Sequence, residues 1–194
     1  FPEMSIHAAR RDWEKLKGTL LFSLRAVLFI TIPASVGLMV LGVEIIRVLF
    51  ERGAFTSYST NITYSALLYY SIGIFAFAGV KLLVSVFYSL QDTMTPVKVA
   101  AFALVINVVL SLILMSPLKI GGLALAGSIS SLINFSILYL TLRKRIGNLG
   151  GMILIDSFIR ILFSSLIMGV VCYVLSRNKI TGLAVLIPIG IMVF

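Results

Sequence analysis

Polar and apolar positions along this chain do not alternate with a short period; long uncharged runs are separated by brief charged clusters. Residues 26–43 form 18 consecutive uncharged positions, and residues 99–118 form 20. A membrane-spanning helix needs about 17–25 such residues. Residues 62–90 make a longer run, interrupted only by Lys81. Residues 120–142 supply another, residues 157–176, entered with Asp156 and Arg160, a fifth, and residues 180–194 begin a sixth that is too short as given. The pattern predicts an all-α, polytopic transmembrane helix bundle. Residues 1–19 precede the spans, 20–142 hold four of them, 143–154 form a linker, and 155–194 hold the fifth span and the incomplete sixth.

The joints between runs carry the local signals. In residues 1–19, the spacing of Ile6, Trp13, Leu16 and Leu20 suits a helix lying at the interface, with Trp13 at headgroup level. A solvated linker between two spans fits equally well. Residues 44–60 read as a loop broken at Gly53, in which Glu51 and Arg52 are placed to pair. Thr56, Ser57, Ser59 and Thr60 are candidate N-caps for the next helix. Thr95 before Pro96 has the order of an N-cap and first helical residue. Ser116-Pro117-Leu118-Lys119 ends the third span, with Gly121-Gly122 as the turn. The fourth run is rich in small and polar residues, Gly127, Ser128, Ser130, Ser131, Asn134 and Ser136, which let helices approach closely and predict a central position. A linker around residues 147–151 follows Arg143-Lys144-Arg145.

Composition strengthens the membrane reading. Hydrophobic residues make up 60% of the 194 positions and charged ones 12%, with a mean hydropathy of +1.12. Soluble domains have about 45–50% apolar and about 25% charged residues. The formal charge of +9 does not point to nucleic acid, because the cations flank apolar runs, where they meet lipid headgroups and set topology. Arg10, Arg11, Lys15, Lys17, Arg25, Lys98, Arg143, Lys144, Arg145 and Arg160 fall on one side of the alternating spans. Arg47, Arg52, Lys119, Arg177 and Lys179 fall on the other. The positive-inside rule then places residues 1–19 and 91–95 in the cytoplasm. The chain opens on Phe1 and stops in an apolar run at Phe194, so it reads as a piece of a longer protein.

Catalytic and metal chemistry find little to work with. His7 is the single histidine and Cys172 the single cysteine, so no zinc motif or disulfide framework is available. The seven acidic residues sit in loops or at helix ends, with no phosphate-cradling loop and no nucleophile–base pair. The chain reads as a non-enzyme with no cofactor.

Three features invite a transport function. Lys81 lies about 28 Å from the entrance of its span and about 14 Å from its exit, at ~1.5 Å per residue. A lysine at the centre of a span costs about 2.5–3.5 kcal/mol. Tyr70, Ile74, Ala78, Lys81, Ser85 and Tyr88 follow at steps of three or four and share one polar stripe. Lys81 on this stripe is a substrate-cavity cation for an anionic headgroup such as a phosphate, or else a lysine that snorkels or pairs structurally. Asn107 and Ser111 project from one face. With Ser128 or Ser131 they either surround a small cation such as sodium or join two helices by hydrogen bonds. Pro33, with Gly37 beside it, and Pro96 at the 91–96 turn are candidate hinges.

Read together, these motifs resemble the MurJ/MviN family of lipid-linked peptidoglycan precursor flippases, in the MOP transporter superfamily. The matching residues are Pro2-Glu3-Met4-Ser5, Pro33-Ala34-Ser35-Val36-Gly37 and Leu49-Phe50-Glu51-Arg52-Gly53-Ala54-Phe55. They continue with Lys81, Phe87-Tyr88-Ser89-Leu90-Gln91-Asp92 and Thr95-Pro96-Val97-Lys98. The resemblance implies a fourteen-helix protein with two six-helix lobes around a central cavity. This chain then supplies spans nine to thirteen and part of fourteen, most of the second lobe. It further implies transport of lipid II from the inner to the outer leaflet of the bacterial cytoplasmic membrane by alternating access, driven by sodium or the membrane potential. The partners so implied are lipid II, membrane lipids and the first lobe of the same chain. In the family, diphosphate-binding arginines lie mainly in the first lobe, outside this sequence. A sodium site described in some members uses an Asn and an Asp one turn apart on the eleventh helix. Asn107 matches, but Ser111 stands in place of the acid. The alternatives are a related exporter of polysaccharide-lipid or drugs, and a non-transporting membrane scaffold.

Overall fold

In a computed structural model the structure describes residues 12–177, which form five α-helices. These are α1 (Trp13–Phe50), α2 (Ser57–Ser89), α3 (Met94–Leu118), α4 (Ile120–Ile146) and α5 (Gly151–Arg177). All five are long and apolar enough to cross a bilayer. Even the 25 residues of α3 extend about 37 Å, against a hydrocarbon core of about 30 Å. No strand occurs among the described residues.

The helices alternate in direction, so the bundle has two ends. One carries the 90–93 turn and the cations of residues 143–145; it is called the basic end below. The other carries the 51–56 loop and Lys119. Packing does not follow chain order: α1 lies against α5 and α2, while α4 lies between α2 and α3. Helices α2 and α3, joined by a short turn, scarcely touch.

Small residues explain why α4 takes the central place. Gly121, Gly122, Ala124, Ala126, Gly127, Ser128, Ser130 and Ser131 are all buried. A Cβ on Gly73 of α2 would lie 2.7 Å from the Ser128 hydroxyl and 2.8 Å from its Cα. Only glycine permits that approach. The Ser128 hydroxyl donates to the Tyr69 carbonyl at 2.7 Å, so the closest point between the helices also satisfies a buried polar group. Farther toward the basic end, a Cβ on Gly79 would lie 2.6 Å from the Phe135 ring.

The largest buried cluster sits at the basic end, where Leu16, Leu20 and Leu24 of α1 meet Leu82, Leu83, Val86 and Phe87 of α2. Leu138 and Leu142 of α4 and Leu149 of the 147–150 linker complete it. Helix α3 buries only Pro96 and Ala103. In lipid its remaining apolar surface needs no protein partner.

Several boundaries differ from the sequence expectation. The 1–19 segment is not a separate interfacial element where it is described. Residues 13–19 are the first turns of α1, with Leu16 0% and Leu20 1% exposed. The leucines at 16, 20, 24 and 28 make one stripe that continues from the amphipathic stretch into the span, and burying it holds the two parts in one helix. The Asp12 carboxylate begins α1 by accepting the Lys15 N–H at 3.3 Å. Residues 1–11, with Ile6, lie outside the described residues.

The 44–60 loop shrinks to 51–56. Glu44 and Arg47, then Arg47 and Glu51, pair at 3.3 and 3.4 Å along the helix. These i,i+3 and i,i+4 contacts favour continued helix where isolated charges read as loop. Glu51 therefore pairs with Arg47 rather than Arg52. The linker narrows to 147–150, because α4 continues to Ile146 and α5 starts at Gly151. Asp156 and Arg160 pair within α5 at 3.0 Å. The turn from α3 to α4 is Lys119 alone, at φ 51°. Gly122 makes it possible, since a Cβ there would fall 2.1 Å from the Leu114 carbonyl oxygen. The expected sixth span, residues 180–194, lies outside the described residues.

Gly73→Val in the full-length protein is expected to lower its unfolding free energy by about 1–3 kcal/mol by overpacking α2 against α4. Gly18, with nothing within 4 Å of its Cβ position, is the control, and Gly18→Ala is expected to leave stability unchanged or raise it by up to about 1 kcal/mol. Denaturant unfolding in detergent measures both.

Candidate functional site

The stripe read from sequence on α2 forms a surface of this bundle. Lys81, Tyr70, Tyr88 and neighbouring Phe77 are exposed, while Ile74, Ala78 and Ser85 are half-buried. Leu82, Leu83, Val86 and Phe87 on the opposite side are buried in the core. Lys81 makes no ion pair or hydrogen bond among the described residues, so the structural-pair reading finds no partner there. Lys81 is exposed on the side of α2 away from that buried cluster.

Tyr70, on the same stripe, borders the α3–α4 seam. A Cβ on Gly127 would stand 3.5 Å from the Tyr70 ring and 3.9 Å from the Asn107 Nδ2. The exposed stripe of α2 and the polar seam of α3 thus flank one small-residue stretch of α4. Separation of α2 from α3 leaves this face open.

At the seam, the Asn107 amide donates to the Ser130 hydroxyl at 3.2 Å. Ser130 in turn donates to the Gly127 carbonyl at 3.0 Å. The Ser111 hydroxyl donates to the Asn107 Oδ1 at 3.1 Å. Asn107 and Ser111 are thus bonded directly, as their spacing requires, and Asn107 reaches α4 at Ser130 rather than at Ser128 or Ser131. Ser128 is committed to α2. The Asn107–Ser130 bond links α3 to α4. Among the described residues no cluster of His, Cys, Asp and Glu is arranged to hold a metal ion. One turn beyond Ser130, Asn134 has a buried Oδ1 without a hydrogen-bond partner.

Pro33 lies inside α1, which continues through it without interruption. Proline has no N–H for the Phe29 carbonyl, so one rung of the ladder is missing. The Thr31 hydroxyl donates to the Val27 carbonyl and the Ser35 hydroxyl to the Thr31 carbonyl, each at 2.7 Å. Such back-bonding to the preceding turn favours bending. Gly37, one turn later, has nothing within 4 Å of its Cβ position.

Pro96 is buried in the first turn of α3, but Thr95 is not the cap. The helix begins at Met94 with Thr93 in the N-cap position, and Thr93 makes no capping bond. Asp92 does that job: its carboxylate accepts the Thr95 N–H at 3.0 Å and the Thr95 hydroxyl at 2.7 Å. It also pairs with Arg145 at the end of α4. The Thr95 N–H and hydroxyl, followed by the Arg145 guanidinium, hold the Asp92 pKa down to about 2. One side chain thus caps α3 and ties the 90–93 turn to α4. The sequence contains a signal for it, an acid three residues before a threonine at a helix start.

A comparable knot at the opposite end had no local signal. Thr56 occupies the N-cap of α2 without a capping bond. Glu51 instead accepts the Ser57 hydroxyl at 2.9 Å and the Thr60 hydroxyl at 3.2 Å. The Ser57 hydroxyl is the largest cause of its lowered pKa, with Thr60 and Arg47 acting in the same direction.

Comparison with known proteins bears on the fold and the family. A family model described as "Lipid II flippase MurJ" matches residues 1–192. A Rhizobium tropici protein named "Probable lipid II flippase MurJ" is 37% identical over 156 residues, 80% of this chain and 29% of its own length. A Vibrio cholerae protein of the same name is 41% identical over 121 residues, 62% of this chain and 23% of its own. Among solved structures, "Lipid II flippase MurJ, inward closed conformation" superposes with a TM-score of 0.79 at 29% identity. The match covers 98% of this chain and 39% of that one. The chain therefore spans less than a third of the curated relatives it matches.

Asp92→Asn separates capping from charge. The Asp92 pKa is depressed on folding, so its contribution is complete above the ordinary carboxylate range near ~3.9. It is lost as pH falls toward about 2. The difference in melting temperature between wild type and Asp92→Asn is expected to be constant above pH ~5 and to shrink between ~4 and ~2, as thermal unfolding across pH measures.

Proposed function

The chain belongs to the lipid II flippase MurJ family, and on that premise we propose that the full-length protein carries lipid II from the inner to the outer leaflet by alternating access. Five apolar helices and this family membership make it a multi-pass protein of the bacterial inner membrane. In the proposal, the chain forms most of the second of two lobes and meets the first lobe across the open face of α2 and α3. The basic end faces the cytoplasm. Transport here moves an amphiphile without making or breaking a covalent bond.

The observation that carries this reading is the position of Lys81. It sits on the exposed stripe of a helix whose other face is packed in the core, with no anionic partner among the described residues. A buried or half-lipid-facing lysine without a counter-ion is expensive, whereas one beside water and a diphosphate is not. In this role the ammonium supplies positive potential to the cavity, and the missing rung at Pro33, the open space at Gly37 and the Pro96 turn let the lobe rock. Asn107, Ser111 and Ser130 hold α3 to α4 during that motion.

Lys81→Ala in the full-length protein is expected to slow lipid II flipping in reconstituted vesicles about tenfold, the value of one charge-assisted hydrogen bond of ~1.4 kcal/mol. Lys81→Arg is expected to retain most activity. Unchanged flipping in Lys81→Ala would reject the role. Gly37→Ala, for which there is space, tests the hinge: it is expected to slow flipping while leaving the unfolding temperature unchanged or raised.

A further inference from the structure

Three helices change character together where they reach the basic end. On α1, Lys17, Leu21, Leu24 and Leu28 follow at steps of three or four. On α4, Arg143, Tyr139 and Phe135 follow at steps of four. On α5, Leu154, Ile155 and Phe158 come directly after the 147–150 linker. Between these stripes and α2 lies a cavity of about 160 Å³, bounded by Leu24, Leu28, Phe75, Phe135, Leu154 and Phe158. Edge-on contacts of Phe75 with Phe135 and with Phe158, at 6.3 and 5.8 Å between ring centres, frame its inner side. Ile155 on its rim is 61% exposed, so the cavity opens past α5 toward the surroundings.

Above this apolar space the chemistry turns polar and positive. The Tyr139 ring stacks on Phe135, and its hydroxyl is buried without a hydrogen-bond partner. A Cβ on Gly151 would sit 3.0 Å from that hydroxyl, so Tyr139 reaches the start of α5. The Lys17 ammonium stands 3.7 Å from the Cβ position of Gly147 and shares Glu14 at 2.9 Å. Arg143 is one turn past Tyr139, and Lys144 is exposed beside it. Two cations, Lys17 already paired to the exposed Glu14 and Arg143, and one buried hydroxyl without a partner therefore lie at the basic end of an apolar slot. An apolar slot of this kind does not hold water.

We propose that this corner binds an anionic glycerophospholipid of the surrounding leaflet, with the end of one acyl chain in the Leu24–Phe135–Phe158 cavity and its phosphate near Tyr139, Lys17 and Arg143. Charge complementarity selects an anionic over a zwitterionic headgroup. The cavity volume accepts part of a single chain and is too small for a long polyisoprenoid. The site lies on the far side of α2 from Lys81, and its occupation does not depend on which substrate the protein transports.

The test uses the full-length protein in vesicles doped with phosphatidylglycerol carrying a photoactivatable diazirine near the end of one acyl chain. Phosphatidylcholine with the same label is the comparison, and adducts are mapped by peptide mass spectrometry. The expected result is labelling of the 24–28 and 154–158 segments by the anionic probe in excess of the zwitterionic one. Lys17→Gln is expected to lower that labelling about fivefold, the effect of one charge near a membrane surface. Val27→Phe, which fills the cavity, is expected to abolish it without changing the labelling of α3. If Val27→Phe does not fold, Ile155→Trp at the rim is read instead, with the same expectation. Equal labelling by the two probes, or none at these segments, overturns the proposal. So does quantitative disulfide formation between a cysteine at Ile155 and one within residues 180–194, since the chain itself would then cover the opening.

Discussion

The contact between Gly73 and Ser128 is the constraint on which the rest of the arrangement depends. It brings α2 and α4 together at a distance that no other residue at position 73 allows, and it does so while satisfying the Ser128 hydroxyl. In a bilayer the hydrophobic effect gives helices no preference for one another over lipid, so close packing and hydrogen bonds decide the neighbours. The one-residue turn at Lys119 keeps α3 against α4, where it packs on the side away from α2. The open face between α2 and α3 is a consequence of that order.

Polar side chains then divide into two populations. Ser128, Ser130 and Asn107 are engaged in bonds that fix α4 to its neighbours, and Ser111 bonds the Asn107 amide oxygen within α3. Asp92 and Glu51 act at the two ends of the bundle, each gathering donors from the start of a helix and a cation from another position. Lys81 belongs to neither group, and its lack of a counter-ion within the bundle is what makes it interesting. A rigid α2–α4 pair carrying an unpaired cation on its free face is a suitable wall for a cavity that handles an anionic headgroup.

The spans were legible because each is an apolar run of nearly bilayer length with at most one charge in it, Lys81 in α2 and Arg160 in α5, and the α2 stripe because a period of 3.6 residues is visible over about five turns from Tyr70 to Tyr88. The central position of α4 was legible too, from Gly127, Ser128, Ser130 and Ser131. Helix ends were less so. Charges at Glu44, Arg47 and Glu51 look like a loop until their i,i+3 and i,i+4 pairing is seen to prolong the helix. The α4 partner of Asn107, expected at Ser128 or Ser131, is Ser130, because small residues announce a close approach without naming the neighbour. The Glu51 bonds to Ser57 and Thr60 bridge a loop and leave no periodic trace, whereas Asp92 three residues before Thr95 is a readable cap that the more conspicuous Thr95-Pro96 pair masks.

The central claim is that the Lys81 stripe of α2 faces water while the opposite side of the same helix is sealed. Cysteine substitutions at Ile74, Ala78, Lys81 and Ser85, with Leu82, Leu83 and Val86 as the buried set, test it directly in the full-length protein through reaction with a membrane-impermeant maleimide. The account predicts rapid modification along the 74–78–81–85 stripe and none at 82, 83 or 86. Absence of modification along the stripe, or equal modification of both sets, would contradict it.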